Sequence, residues 1–271
     1  MKPASEPPDE MFRLEALRSL CLLDTAPDED FDNVVQLGRT LFDVPICLVS
    51  LVDSDRQWFK ASAGLAAAET PRNISFCGYA ILAHGSFVVL DAAADERFHD
   101  NPLVTGYPHV RFYAGAPIWL PTGYPIGTLC IISPDPRERF DRDDQRKLEM
   151  LSKMVLNAIT VRALRAELDR KRAESDLYWA ILQTSATPVA LVDADGCIER
   201  SNSAFAALCQ VDDPDGLTVG AALPAAAPLW NAGAMGQTPA AEFAMHLPGP
   251  AAQLLVRRRG GSFVITGTPG R

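Results

Sequence analysis

The longest helical pattern of the chain runs from Phe140 to Gln183 and predicts one continuous helix. Asp141 is a suitable N-cap, and acidic residues follow it in the first turn, where they offset the positive end of the helix dipole. No proline or glycine interrupts the pattern before Pro188. The first half carries apolar residues at the helical spacing that faces a globular core: Leu148, Leu151, Val155 and Ile159.

The second half of this helix changes to the spacing of a coiled coil. The apolar seam residues are Val161, Leu164, Leu168, Tyr178 and Leu182. A solvated surface helix is the alternative, because polar Lys171 and Ser175 interrupt the seam. A lone projecting helix lacks packing to hold it, so the pattern favours a weak parallel coiled coil and a homodimer.

The pattern before this helix predicts an α+β module with an antiparallel sheet and helices collected on one face. Two amphipathic helices come first, and the second begins after Thr25-Ala26-Pro27-Asp28, with the Thr25 hydroxyl as its cap. The predicted elements after them are a strand at Val44–Asp53, a strand at Gln57–Ser62, a helix at Phe76–His84 with Ser75 as its N-cap, a strand at Phe87–Asp91, an irregular segment over Asp95–Pro108, and a hairpin of Arg111–Leu120 with Ile126–Ile132.

After the long helix, the pattern predicts a smaller α+β module. Asp193-Ala194-Asp195-Gly196 supplies hairpin turn chemistry between two short strands, and a helix begins after Asn202. The later predicted strands are Glu242–Leu247, Gln253–Arg258 and Ser262–Thr266. The stretch before these strands, Leu217–Pro239, is rich in alanine, glycine and proline.

Length and composition support two globular domains and exclude several kinds of partner. The chain has 271 residues, 48% of them hydrophobic, and a formal net charge of −9. An acidic body without a basic patch argues against nucleic acid and anionic membranes. No apolar run approaches the length of a membrane span, and the N-terminus is unlike a signal peptide, so a cytoplasmic protein is expected. Six scattered cysteines and four histidines indicate buried thiols and no metal site.

Several blocks of sequence resemble a bacterial GAF domain of the type found at the N-terminus of histidine kinases and diguanylate cyclases. They are LLDTAPDEDFD (22–32), VPICLVSLVDSDRQWFKAS (44–62), ETPRNISFCGYAI (69–81), DAAADERFHDNPLVTGYPHVRFYAGAPI (91–118) and GTLCII (127–132). The block VALVDADGCIERSNSAF (189–205) resembles the opening of a PAS domain. The resemblances imply a disordered tail over 1–10, a GAF domain over 11–140, a connector over 141–183 and a PAS-like domain over 184–271.

The GAF resemblance implies a pocket between the sheet and the excursion over residues 69–113. The candidate ligand-binding residues are Trp58, Phe76, Cys77, Tyr79, Asp91, Arg111 and Tyr113. Apolar walls with one fixed charge suit a small planar or anionic ligand. The alternative is a pocket filled by its own side chains, with Asp91 simply paired to Arg111.

The sequence lacks the signatures of the cofactors that some GAF domains bind, so the cofactor is unknown. Attachment of a bilin needs a Cys-His pair, but Gly78 follows Cys77. Of the cyclic-nucleotide signature only Asp95-Glu96 is present. The histidines that could bind haem fall in loops or at helix ends: His84, His99 and His109.

The sequence therefore predicts a cytoplasmic, non-catalytic sensory module of signal transduction, as in two-component systems, that relays a signal through a dimeric helix. The alternative is the input portion of a histidine kinase or diguanylate cyclase, because the chain stops at Arg271 just after its last predicted strand. Free methionine sulfoxide reductase activity at Cys77 is a third reading. It is disfavoured because residues 110–116, where that family would have its catalytic cysteine, contain none.

Overall fold

The computed structural model describes residues 2–224, 227, 242–246, 252–259 and 262–269. Its contacts divide the chain into two compact units, Met1–Ala166 and Glu167–Arg271. Among the described residues, no helix is both long and apolar enough to cross a membrane.

The first unit contains a six-stranded antiparallel sheet. Its strands are β1 (Ile46–Val52), β2 (Arg56–Ala63), β3 (Glu69–Pro71), β4 (Phe87–Val89), β5 (Phe112–Trp119) and β6 (Pro125–Ser133). They lie in the order β3-β2-β1-β6-β5-β4. Every residue of the central strands β1 and β6 is buried, because both faces of the sheet are covered. Burial on both faces explains the uninterrupted apolar run that predicts β1.

Three helices pack against one face of this sheet: α1 (Glu10–Ser19), α2 (Glu29–Phe42) and the first part of α5 (Arg142–Gln183). The Asp28 carboxylate caps α2 by accepting from the Asp30 amide at 3.2 Å. The Asp141 carboxylate accepts from the amides of Asp143 and Asp144 at the start of α5. The Asp141 cap lies where the sequence predicts it, but the cap of α2 does not. The sequence favours the Thr25 hydroxyl, whereas the helix begins three residues later and is capped by Asp28, whose short carboxylate reaches the unpaired amides of the first turn.

A lid covers the other face. We use this name for residues 72–86 and 90–110, which include a 3₁₀ turn (Arg72–Ile74), α3 (Phe76–Ala80) and α4 (Pro102–Thr105). Asn101 caps α4 through the Leu103 amide at 2.8 Å and donates its side-chain amide to the Ile74 carbonyl at 2.9 Å. The sequence predicts α3, but only irregular chain over Asp95–Pro108, since the four-residue helix α4 is too short to show a periodic pattern.

The N-terminal segment lies against the lid. Residues 2–9, for which a disordered tail is expected, contain no helix or strand. The Tyr79 hydroxyl donates to the carbonyl of Lys2. At the end of the segment, Glu10 binds both Arg13, at 2.7 Å, and Arg72. Burial opposes the charge on Glu10, but the hydrogen bonds from these two arginines outweigh it and lower the pKa of the carboxyl group.

The second unit contains a five-stranded antiparallel sheet. Its strands are β7 (Val189–Val192), β8 (Ile198–Ser201), β9 (Glu242–His246), β10 (Ala252–Arg259) and β11 (Ser262–Pro269), in the order β8-β7-β11-β10-β9. Two short helices, α6 (Ser203–Cys209) and α7 (Val219–Ala222), follow β8. Most of the stretch Leu217–Pro239, which is rich in alanine, glycine and proline, lies outside the described residues.

The α+β class predicted from sequence, with antiparallel sheets and one long helix, is confirmed. Its predicted strands and helices shift by only a few residues in the structure. The long helix, predicted from Phe140, begins at Arg142 and continues without a break to Gln183. The helices predicted on one face of the sheet are present, and the lid forms a second layer that covers the other face.

We expect Gly127→Ala to destabilise the first unit. A Cβ atom at Gly127 would lie 2.0 Å from the Ser50 carbonyl oxygen of the neighbouring strand β1, so the two central strands would have to separate. Overpacking of this kind costs about 1–3 kcal/mol. Gly85→Ala is the matched control, since its new methyl group would meet only the Glu149 carboxylate oxygen at 3.5 Å. Thermal unfolding followed by circular dichroism should show a clearly lower melting temperature for Gly127→Ala than for Gly85→Ala. Equal melting temperatures of the two variants would contradict the packing described.

Candidate functional site

Aromatic rings fill the space between the sheet and the lid. Phe76 of α3 stacks on Phe98 with ring centroids 4.1 Å apart, and on Tyr113 of β5 at 5.1 Å. Tyr79 meets Phe98 edge-on at 5.0 Å, and Phe87 of β4 packs 6.1 Å from Tyr113. The three longer distances lie within the range of roughly 4.5–7 Å where aromatic rings attract one another, and the Phe76–Phe98 pair is stacked slightly closer. The result is an aromatic cluster that holds α3 against the sheet.

Four of the seven candidate residues come together in this cluster: Phe76, Cys77, Tyr79 and Tyr113. Trp58 does not join them, so it does not line the space under the lid as its choice as a candidate ligand-binding residue requires. It packs with the helices on the opposite face, while Phe59 points toward the lid. Successive residues of a strand point to opposite sides of the sheet. The sequence does not show whether Trp58 or Phe59 points toward the lid.

Asp91 and Arg111 pair with each other. The Arg111 guanidinium donates two hydrogen bonds to the Asp91 carboxylate, at 2.7 and 2.8 Å. These hydrogen bonds lower the pKa of Asp91, and both side chains stay about one-third exposed. The charge of Arg111 is thus already compensated at the protein surface, where a pair of this kind contributes little stability.

The interior beneath the lid is packed. Phe76, Cys77, Phe98 and Tyr113 are all buried. The Tyr113 ring lies over Gly115 so closely that a Cβ atom there would be 2.2 Å from the Tyr113 hydroxyl oxygen. A ligand could therefore enter this space only by displacing aromatic rings.

Two thiols meet under the aromatic cluster. The sulfur atoms of Cys77 on α3 and Cys130 on β6 lie 3.8 Å apart, within the distance of a thiol–thiol hydrogen bond. The Tyr113 hydroxyl donates to the Cys77 sulfur at 3.4 Å. Burial alone would raise the pKa of Cys77, but hydrogen bonding from Cys130 and its neighbours lowers it. The pKa of Cys130 is raised, because it is hydrogen-bonded to Cys77 and buried.

Buried polar side chains tie the lid to β2. The Ser75 hydroxyl accepts from the Gly78 amide at 3.0 Å, which caps α3, and donates to the Gln57 side-chain oxygen. Gln57 in turn donates to the Thr70 hydroxyl at 2.6 Å. The sequence predicts the Ser75 cap but not Gln57 or Cys130. The two-residue period relates residues within one strand only, so the sequence carried no signal that Cys130 on β6 and Tyr113 on β5 share a face.

The five predicted seam residues lie along an exposed stripe of α5. Leu164 is 59% exposed and Leu168 55%, whereas Leu182 is half-buried. The stripe also extends toward the start of the helix, where Met150 is 64% exposed and Met154 45%. These methionines continue the alternating three- and four-residue spacing of the seam. The sequence reading missed them because the first half of α5 was assigned wholly to the core.

Comparison with known proteins identifies part of the chain. Residues 26–159 match the family model described as "GAF domain". The chain is 44% identical over 153 residues to the cyclic di-GMP phosphodiesterase PA2567 of Pseudomonas aeruginosa, a match covering 56% of this chain and 26% of that protein. The chain therefore spans about a quarter of the length of this curated relative.

Two solved structures show similarity of fold. The E. coli DhaR(N)-DhaL complex contains a chain 14% identical to this one, with 99% of this chain and 95% of that chain covered and a TM-score of 0.51. The GAF domain of an Acinetobacter phosphoenolpyruvate-protein phosphotransferase is 17% identical, with 58% and 98% covered and a TM-score of 0.42. The first supports the fold alone, and the second is too distant to support an argument.

The comparisons confirm the GAF domain predicted from sequence, but the family match ends before the PAS-like region. They also overturn one prediction. The expectation of a non-catalytic module is wrong, because the relative that shares 44% of the aligned residues is named as an enzyme, a cyclic di-GMP phosphodiesterase.

We expect Phe98→Ala to lower the free energy of unfolding of the first unit by about 3–5 kcal/mol, since it removes a fully buried ring from the aromatic cluster. Arg111→Ala is the control on the same side of the sheet and should change the stability far less, because its ion pair lies at the surface. Urea unfolding of the two variants measures the difference. A loss below about 1 kcal/mol for Phe98→Ala would show that its ring does not support the lid.

Proposed function

From the premise that residues 26–159 form a GAF domain, we propose that this chain is the regulatory region of a protein that hydrolyses cyclic di-GMP. The observation that carries the proposal is the 44% identity over 153 residues to a cyclic di-GMP phosphodiesterase. Among the enzymes that GAF domains regulate, this match favours a phosphodiesterase over the histidine kinase and diguanylate cyclase expected from sequence.

The proposal keeps the domain division predicted from sequence. Residues 11–140 are assigned to the GAF domain, 141–183 to the connector and 184–271 to a PAS-like domain. The five-stranded antiparallel sheet of the second unit, with α6 directly after β8, supports the PAS-like assignment. Asn202 stabilises this junction by accepting from the amides of Val189 and Phe205, each at 2.9 Å.

We assign the exposed stripe of α5 to dimerisation with a second copy of this chain. Apolar residues at alternating three- and four-residue spacing are the pattern by which two like helices pack side by side. The stripe runs from Met150 to Leu182 and includes exposed Leu164 and Leu168. Asn157, Lys171 and Ser175 interrupt it, so the coiled coil would be weak enough to respond to a signal.

The GAF sheet offers a physical route from the lid to α5. Tyr113 on β5 and Cys130 on β6 face the lid, while their strand neighbours Ala114 and Leu129 face the helical layer. In that layer Leu148, Leu151, Val155 and Ile159 of α5 belong to the same core. A change in packing under the lid must move the strands, and α5 must repack against them.

The test compares two double variants in the natural full-length protein. Leu164→Asp with Leu168→Asp places charges in the seam, and we expect light scattering to show monomers where the wild type is dimeric. Ala163→Asp with Ala166→Asp is the matched control, because it adds the same charges to exposed positions on the other side of the same helix turns. This control should remain dimeric.

Hydrolysis of cyclic di-GMP to its linear product is measured by chromatography on the same samples. We expect the wild type and the control to hydrolyse it at equal rates and the seam variant to differ by at least about tenfold, as loss of a coupling of about 1.4 kcal/mol would produce. Absence of hydrolysis by the wild type would reject the phosphodiesterase proposal. A seam variant that stays dimeric would reject the assigned interface.

A further inference from the structure

We propose that Cys77 and Cys130 are a reversible redox pair, in which a hydroperoxide oxidises the two thiols to a disulfide that links lid helix α3 to the central strand β6. The proposal extends beyond hydrolysis of cyclic di-GMP and does not depend on it. It assigns a covalent modification site to the interior of the GAF domain.

The distance between the two sulfur atoms carries the proposal. They lie 3.8 Å apart although the residues are 53 positions apart in sequence. A disulfide bond is about 2.05 Å long, so the sulfurs need to approach by less than about 2 Å. One partner belongs to a five-residue helix, which can shift more easily than a central strand.

Cys77 has the surroundings of a nucleophilic thiol, because the thiolate and not the thiol attacks an oxidant. The Tyr113 hydroxyl donates to its sulfur, and Cys130 lies within hydrogen-bond distance. Other cysteines of the chain differ. Burial raises the pKa of Cys47 to about 12 and that of Cys209 to about 11, which keeps both protonated.

Thr128 provides a second, independent observation. Its hydroxyl oxygen is buried and has no hydrogen-bond partner of ordinary geometry among the residues that the structure describes. Thr128 lies two residues before Cys130 on β6, so both side chains point to the same face. The Thr128 hydroxyl nevertheless lies close enough to the two sulfurs to contribute to lowering the pKa of both thiols. A buried hydroxyl without a well-formed hydrogen bond is costly, so it favours a thiolate to which it can donate.

The chemistry proceeds in two balanced steps. The Cys77 thiolate attacks the terminal oxygen of the hydroperoxide; a sulfur–oxygen bond forms and the oxygen–oxygen bond breaks. The alkoxide, or hydroxide in the case of hydrogen peroxide, leaves and takes up the proton that the Cys77 thiol had released, so an alcohol or water departs. The Cys130 sulfur then attacks the Cys77 sulfur; the disulfide forms, the sulfur–oxygen bond breaks, and hydroxide leaves with the Cys130 proton as water. Two thiols lose two electrons, and the hydroperoxide gains them.

The position of the pair predicts what the disulfide does. Both sulfurs are buried, so the oxidant reaches Cys77 only when the lid opens. Once formed, the bond fastens α3 to β6 and restricts further opening of the lid. Oxidation would thereby change the packing between the lid and the strands. In the proposed function, this packing is what transmits a change in the GAF domain to α5.

The test treats the full chain with hydrogen peroxide and maps its peptides by mass spectrometry without reduction. We expect a peptide pair joined through Cys77 and Cys130 that disappears with dithiothreitol. In Cys130→Ser, dimedone should trap a sulfenic acid on Cys77. Cys47→Ser removes another buried strand thiol as the matched control and should leave the joined pair unchanged.

Hydrogen exchange of the wild type provides a measurement that needs no substitution. Amides of residues 76–82 should exchange at least about tenfold more slowly after oxidation, because the disulfide suppresses opening of the lid. The proposal is overturned if peroxide oxidises the exposed Cys21 while no Cys77–Cys130 peptide pair forms, or if exchange in the lid is the same in both states.

Discussion

The structure of the first unit depends on burying both faces of its central strands. β1 and β6 lie side by side in the middle of the sheet, and every residue of each is buried. They approach so closely that only glycine fits at position 127, opposite the Ser50 carbonyl. Because neighbouring residues of these strands serve opposite faces, the lid and the helical layer share one backbone. A change on one face cannot occur without some adjustment on the other.

This constraint makes the lid interior a second core. Its aromatic rings occupy the region where the family resemblance implies a ligand pocket, and the one charged pair among the candidate residues lies outside the cluster. A signal that acts here must rearrange existing packing or alter its chemistry. The contact between the sulfurs of Cys77 and Cys130 offers a chemical change that needs no empty space.

Helix α5 shows how one element can serve two roles. Leu148, Leu151, Val155 and Ile159 make it part of the GAF core, while a separate stripe beginning at Met150 remains exposed. One side of α5 is thus committed to the core, while the other leaves an apolar stripe at coiled-coil spacing, the surface that the proposed dimerisation requires.

The sequence by itself determined the elements of this protein. Helix caps at Ser75 and Asp141 act over a few residues, and apolar periodicity acts within one element, so both are visible in the chain. Only the tertiary structure decided which face each strand residue serves. It placed Phe59 under the lid and Trp58 opposite, paired Asp91 with Arg111, and brought Cys130 to Cys77. These outcomes depend on strand register and on the path of the lid, which bring together residues far apart in sequence and leave no local signal.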